Sequence, residues 1–572
     1  MKASDFIAGF LEKKGITSIF ELSGGMITHI LDSVNQTTNI HIVTMHHEQS
    51  AAFAAEAYGR VTGVPGVALA TSGPGATNLL TGIGSCFFDS SPALFITGQV
   101  NRHELKGDRA IRQLGFQETD IIAMAKPITK ACFQVLNADE LPEIFEKAYN
   151  IALEGRPGPV LIDIPMDIQR AQITVKDHTK LSNSTFTTQF ELLRNLSEDI
   201  KKSKRPLILA GRGIKASQSQ SLFDSFIERV KVPVITTLLG LDTIEYENPL
   251  RVGFIGSYGN RWANISFGEC DLLIILGSRL DIRQTGADTK FFENRVIYHV
   301  DCEEGEINNR VNNCIPIVSD LKNFFIDFEK ISASDEFYGH QIWLEYINSL
   351  RSQWPDTDEL SPIGINPNIF MHKLSKNSVG VMAYLADVGS HQMWAAQSLE
   401  LKSKQHFLTS GGMGAMGFSL PAAIGASIAF DKKPVVVIIG DGCMQINIQE
   451  LQTIVRNKLP IKIIVMNNRT LGMIRQFQDS YFESRYQSTY WGYDAPDFAK
   501  VSIAYGIDAM TVEDDAEMDS AIQWLWNEHN AQAPQLLQVM IDPKTNTYPK
   551  IAFGRPITEM EPFAKPIEME GT

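Results

Sequence analysis

The stretch IIGDGCMQINIQELQTIVRNKLPIKIIVMNN, Ile438 to Asn468, decides the fold. Its first residues complete the run PVVVIIGD, a continuous apolar segment of the kind expected for a strand buried on both faces. In the middle, Leu451, Ile454, Val455 and Leu459 share one face at helical spacing. IKIIVMNN is then the next strand. A strand–helix–strand unit of this length gives two parallel strands through a crossover. Asp441 and Asn468 therefore reach the same edge of the sheet. Gly440 and Gly442 allow tight backbone with exposed N–H groups. One carboxylate, neutral oxygens and a ligand's phosphates are what a hard cation such as Mg²⁺ requires. Gly-Asp-Gly alone is a common turn tripeptide; the paired strand ends favour the metal reading.

The same alternation runs through most of the chain. HIVTM, GVALAT, ALFITG, PVLIDIP, PLILAG, PVITT, LLIILG and VIYHVD are further strand candidates between helical patterns. This predicts an α/β protein of doubly wound parallel sheets, with ligands at the carboxyl ends of strands. At 572 residues, 44% hydrophobic and 20% charged, the chain calls for about three domains. Two stretches read as linkers, one Ser/Thr-rich from Ile173 and one from about Ile331 to Pro367. They divide the chain into residues 1–172, 190–330 and 365–545, with a C-terminal tail over 546–572.

A net charge of −15 and a pI near 5.4, with no basic tract, argue against nucleic acid or an anionic membrane as partner. No apolar run approaches membrane-spanning length. MKASDFIAGFLEKKG reads as an amphipathic helix rather than a signal peptide. The six cysteines form no CxxC or zinc pattern and read as free thiols, which suggests a cytoplasmic protein.

A second candidate site lies in IHIVTMHHEQSAAFAAEAYGR, where an apolar strand runs into Glu48 at the start of an Ala-rich helix. A first-turn glutamate is favoured by the helix dipole alone. Beside the Asp441/Asn468 signature it gains a chemical reading, because GDG followed by NN at this spacing is how thiamine-diphosphate enzymes hold Mg²⁺ and the diphosphate. HHEQSAAFAAEAYGR, TSGPGATNLLTGI, ITGQV, GRPGPVLIDIP and SGGMGAMGFSLPAAIGA follow in matching order. Over about residues 1–545 the chain resembles the acetolactate synthase family of thiamine-diphosphate enzymes.

The resemblance implies a pyrimidine-binding domain, a Rossmann-like central domain and a diphosphate-binding domain, in that order. It implies thiamine diphosphate and Mg²⁺ as cofactors and a homodimer or homotetramer with shared sites. Glu48, Gln117 and Lys130 are then the catalytic candidates. Asp441, Asn468 and the main-chain carbonyl of Thr470 are the metal ligands. Gly73, Asn78, Gly389, Ser390, His391, Gly414, Met416, Gly440, Gly442, Gly472 and Met473 surround the cofactor. For the central domain the resemblance suggests a structural FAD held by Gly211, Gly213, Arg279, Arg283, Asp301 and Asp320; an ADP-like ligand or an empty site are the alternatives.

The match loosens at the substrate pocket, assigned to Met26, Phe116, Ile474 and Phe477. Phe477 replaces a tryptophan and Met26 a small residue. Arg112, Lys130 and Arg283 offer an anion a landing place. The implied activity is decarboxylation of pyruvate and addition of the remaining two-carbon unit to a carbonyl acceptor. A second pyruvate is the default acceptor, and a larger ketone such as a nucleotide-linked keto sugar is the alternative. A simple 2-oxoacid decarboxylase or lyase, and a non-catalytic paralogue, complete the set.

Overall fold

The computed structural model describes residues 1–175, 189–527, 530–567 and 569. Most of the Ser/Thr-rich linker read from Ile173 lies outside the described residues. The rest forms three six-stranded sheets, each entirely parallel. The first contains β1 (Ser18–Leu22), β2 (His41–Thr44), β3 (Gly66–Ala70), β4 (Ala93–Gln99), β5 (Ala131–Gln134) and β6 (Pro159–Pro165), in the order β2-β1-β3-β4-β6-β5. The central sheet contains β7 (Pro206–Ala210), β8 (Val234–Thr236), β9 (Arg251–Phe254), β10 (Leu272–Leu276), β11 (Val296–Asp301) and β12 (Ile315–Val318). Its order, β12-β11-β10-β7-β8-β9, reverses between β7 and β10, as in dinucleotide-binding folds. The third contains β13 (Ala383–Ala386), β14 (His406–Leu408), β15 (Val435–Gly440), β16 (Ile461–Asn467), β17 (Asp508–Val512) and β18 (Gln535–Met540). Its order, β14-β13-β15-β16-β18-β17, repeats the first sheet position for position.

The near-continuous apolar strands follow from helices covering both faces; β3, β4, β6, β15 and β16 are buried at every residue. One hydrophobic core is shared by the first and third domains. At its centre the helix Glu48–Thr62 crosses the helix Ser419–Ala429. Their alanines and glycines let the two backbones touch: a Cβ on Gly425 would stand 2.0 Å from the Ala54 carbonyl oxygen. A larger residue there would overpack the crossing, at about 1–3 kcal/mol or more.

Two sequence readings are corrected. Residues 331–367 are not simply a linker: the helix Gln341–Gln353 within them buries Trp343, Ile347 and Leu350 in the central domain's core. The C-terminal tail is also built in. Its strands β19 (Lys550–Ile551) and β20 (Met560–Glu561) pair antiparallel and dock on the central domain. There Arg261 donates to the carbonyls of Met560 and Glu561, and the Ile551 amide donates to the Ser257 carbonyl.

Candidate active site

In the third sheet the order reverses direction between β13 and β15, and ligands of open α/β sheets gather at such points. After β13 come Asp387 and Gly389, then Ser390 and His391 at the start of a helix; β15 ends in Gly440, and Asp441 follows it. Gly440 has to be glycine, because a Cβ there would meet the His391 ring at 2.7 Å. The next strand, β16, ends in Asn467; Asn468 follows it, and its Oδ1 accepts from the Thr470 amide at 3.3 Å. Gly472 presses on the Asn468 side chain and the Ser390 hydroxyl, and Gly442 faces Leu471, Met416 and the Tyr493 hydroxyl. Asp441, Asn468, Thr470, Gly389, Ser390, His391, Gly440, Gly442, Gly472 and Met416 are thus gathered in one place.

Three polar atoms here are buried without a hydrogen-bond partner: Asp441 Oδ2, Ser390 Oγ and His391 Nε2. An unpaired buried carboxylate is costly. Burial pushes the Asp441 carboxyl up to about 7, although hydrogen bonding from Tyr493 pulls the other way. Burial lowers His391 to about 4 against the pull of Asp387, so the ring is neutral at physiological pH. Ser390 opens the helix Ser390–Ser398, whose N-terminus favours anions. The donor set fits a hard cation and a diphosphate: a carboxylate oxygen, amide and carbonyl oxygens, a hydroxyl and a helix N-terminus. A different trio, Asp387, His391 and Cys443, also clusters with ligand atoms within 4.8 Å. Asp387 is spent on structure, however. It accepts from the Val388 and Gly417 amides through Oδ1 and from the Ser419 amide and hydroxyl through Oδ2.

The equivalent reversal in the first sheet lies between β1 and β3, where Met26 and the loop Thr71–Gly75 meet. The Met26 amide donates to Thr71 Oγ1, and Gly73 packs against Gln117. Glu48 begins its helix beside this loop and is only 7% exposed. Asn78 donates to Glu48 Oε2 at 2.9 Å, and Oε1 faces Gly75. Met26, Gly73, Asn78, Gln117 and Glu48 therefore form a second cluster. Among the described residues no hydrogen bond or ion pair joins Glu48 to Asp441, Asn468 or His391.

The other sequence candidates scatter. Phe116 is 80% exposed and fills no pocket within the chain. Lys130 packs on Gly158 and donates to the Glu154 carbonyl at 2.6 Å. Arg112 is exposed, and among the described residues no hydrogen bond or ion pair joins it to Lys130 or Arg283. Ile474 is exposed, and the Phe477 ring leans on Tyr481 and Phe482, with centroids 4.7 and 5.8 Å away.

In the central domain a cavity of about 310 Å³ opens at the β7/β10 reversal. Gly213, Arg279, Arg283, Asp301 and Asp320 line it, and at its far end it reaches Gly414 and Met473 of the third domain. Gly211 lies beneath, packed on the Gly277 carbonyl. Sequence reasoning missed Arg156 and Arg212, which also line the cavity. Arg156 stood in the quoted GRPGPV and Arg212 between the two quoted glycines. It also missed Asp387, signalled only by its place at a strand end, and Tyr493, which no spacing marks.

Residues 1–124 match the family described as thiamine pyrophosphate enzyme, N-terminal TPP binding domain; residues 193–327 match the central domain and 387–539 the C-terminal TPP binding domain. The chain is 36% identical to the acetolactate synthase large subunit of Pyropia yezoensis, over 97% of this chain and 94% of the relative. It is 34% identical to that of Lactococcus lactis subsp. lactis (strain IL1403), over 97% and 95%. With acetolactate synthase isozyme 2 large subunit of Escherichia coli (strain K12) the identity is 34%, over 98% and 99%. The chain belongs to the thiamine pyrophosphate enzymes, and within them to the acetolactate synthase large-subunit family. It is an enzyme of thiamine-dependent carbon–carbon bond formation. Among the described residues no helix is long and apolar enough to cross a membrane.

Proposed function

We propose that this enzyme decarboxylates pyruvate and joins the remaining two-carbon unit to a second carbonyl compound. The observation that carries this reading is the set of unpaired buried atoms of Asp441, Ser390 and His391 at the sheet reversal. Thiamine diphosphate supplies the electron sink that carboxyl loss and two-carbon transfer require. Asp441, Asn468 and the Thr470 carbonyl hold Mg²⁺; Ser390, His391 and the helix N-terminus receive the diphosphate. Met416 supplies an apolar support between them. Glu48 keeps Oε2 on Asn78 and leaves Oε1 to hold or release a proton; the apolar helix crossing around it excludes water. Gln117, in the Glu48 cluster, orients the substrate.

Because Glu48 and Asp441 do not meet within one chain, we assign the complete site to a homodimer or homotetramer. Exposed Phe116, Met413, Ile446 and Ile474 support a second copy covering this face. We assign FAD, as a structural ligand, to the central cavity, with Asp301 at the end of β11 suited to a ribose hydroxyl and Asp320 beside it just after β12. The six free thiols accord with a cytoplasmic enzyme.

Pyruvate is the default acceptor. A larger ketone is the second reading, favoured because the Phe477 ring is drawn onto Tyr481 and Phe482. Mass spectrometry of products from labelled pyruvate, with a panel of ketones, tests both. A mixed product with one ketone identifies the acceptor, acetolactate alone identifies pyruvate, and acetaldehyde as sole product refutes carboligation. The colour of the purified protein tests the flavin.

A further inference from the structure

A second large cavity, about 660 Å³, opens where all three domains meet and shares Arg212 and Leu239 with the central cavity. Arg60, at the last turn of the Glu48–Thr62 helix, comes from the first domain. Arg212 and Lys215 come from the central domain, and His406 from the third. Their charges are poorly balanced. Arg60 has Glu56 at 3.6 Å. Lys215 and His406 share a single carboxylate, Asp242, at 3.9 and 3.8 Å. Arg212 has no ion pair among the described residues. Burial, then repulsion from Arg60, pushes its guanidinium down to about 10.

Among the described residues, three side chains lining this cavity each keep one polar atom sealed from solvent and without a hydrogen-bond partner: Arg60 Nε, Arg212 Nε and Gln220 Oε1. Two are donors and one is an acceptor. The acidic residues are interleaved with these cations: Asp242 sits on Lys215 and His406, and Asp224 feels the Lys215 charge. Burial raises the Asp224 carboxyl, the Gln220 hydrogen bond and Lys215 pull it down, and Glu228 and Glu245 raise it. The cavity therefore offers cationic donors together with carboxylate and amide acceptors. A phosphate suits the first and hydroxyl groups the second. The volume falls in the range of small-molecule sites.

We infer that this three-domain junction binds a phosphate monoester of a hydroxylated small molecule, with the phosphate on Arg60, Arg212 and Lys215 and the hydroxyls toward Gln220 and Asp224. A sugar phosphate and a nucleoside monophosphate share this chemistry. The site is separate from the thiamine and central cavities, and only the Arg212–Leu239 neighbourhood is common to it and the latter.

The test is isothermal titration of the enzyme, first saturated with thiamine diphosphate and Mg²⁺, using ribose 5-phosphate, AMP and ribose. Both phosphorylated probes, or AMP alone if the base is read, bind one per chain and raise Tm by about 2–4 °C at a hundredfold excess over Kd; ribose does neither. Lys215→Ala and His406→Gln each weaken binding about tenfold, and both keep the fold, judged by an unchanged Tm without probe. Arg279→Ala, confined to the central cavity, leaves binding unchanged. The inference is overturned if neither phosphorylated probe binds, or if binding ignores Lys215→Ala and is lost in Arg279→Ala.

Discussion

The first and third sheets have one strand order and opposite tasks. Each carries a buried carboxyl whose protonation is favoured by burial: Asp163 in β6, raised to about 6, and Asp441 after β15, raised to about 7. The shifts alone would not tell them apart. Asp163 is fully engaged, accepting from Thr97, Gln99 and Gln134. Asp441 keeps one oxygen unpaired. A buried acid with its partners in place holds a fold together; one without them waits for a ligand. The third sheet therefore carries the carboxyl with a free oxygen. The first sheet presents Glu48, an acid steadied on one oxygen only.

That contrast can be broken at three points, and a fourth measurement serves as its control. Asp441→Ala should abolish both turnover and the rise in Tm that thiamine diphosphate with Mg²⁺ produces, read by activity and thermal melting. Glu48→Gln should cut kcat about 10²–10⁴-fold while the cofactor-induced rise in Tm persists; near-normal turnover would remove Glu48 from its proposed role. Tyr493→Phe should weaken Mg²⁺ about 10–100-fold, measured by metal titration at fixed thiamine diphosphate, because the hydroxyl beside Asp441 steadies the proposed ligand. The smallest effect belongs to a site outside both clusters.

There, His372 lies between Asp356 at 2.9 Å and Glu400 at 2.8 Å. Burial lowers its pKa, but the two carboxylates outweigh burial and hold it above 6.5. Burial likewise raises Asp356, and His372 with Ser398 brings it below 3.8. The histidine's contribution to stability is complete below pH 6.5 and is lost as pH rises through its folded value. The aspartate's is complete above pH 3.8 and is lost as pH falls through its own. The pair should stabilise most between these limits. Melting across pH should show a decline on the alkaline side that His372→Gln lacks.

The sequence made the sheets legible because their strands are buried on both faces, so composition alone marks them. Asp441 and Asn468 were legible for the same reason: a polar residue ending an apolar run stands out. Glu48 was visible only as a strand–helix junction, and its link to Asn78 needs the loop between them. Arg156, Arg212 and Tyr493 were not legible, since each is placed by another domain or a distant loop. The helix Gln341–Gln353 was lost among Pro, Asp and Ser, though Trp343, Ile347 and Leu350 recur at helical spacing. The β19–β20 hairpin has two-residue strands, too short for periodicity to register.

That hairpin ties the middle domain to the end of the chain. Arg261 bonds to a carbonyl 300 residues further along, so this stitch can form only after the third domain has been made. Vectorial folding would ordinarily finish domains in the order they emerge. Here the core that holds Phe267 and Ile275 takes its last members, Ile551, Ile557 and Met560, from the final stretch of the chain to be made.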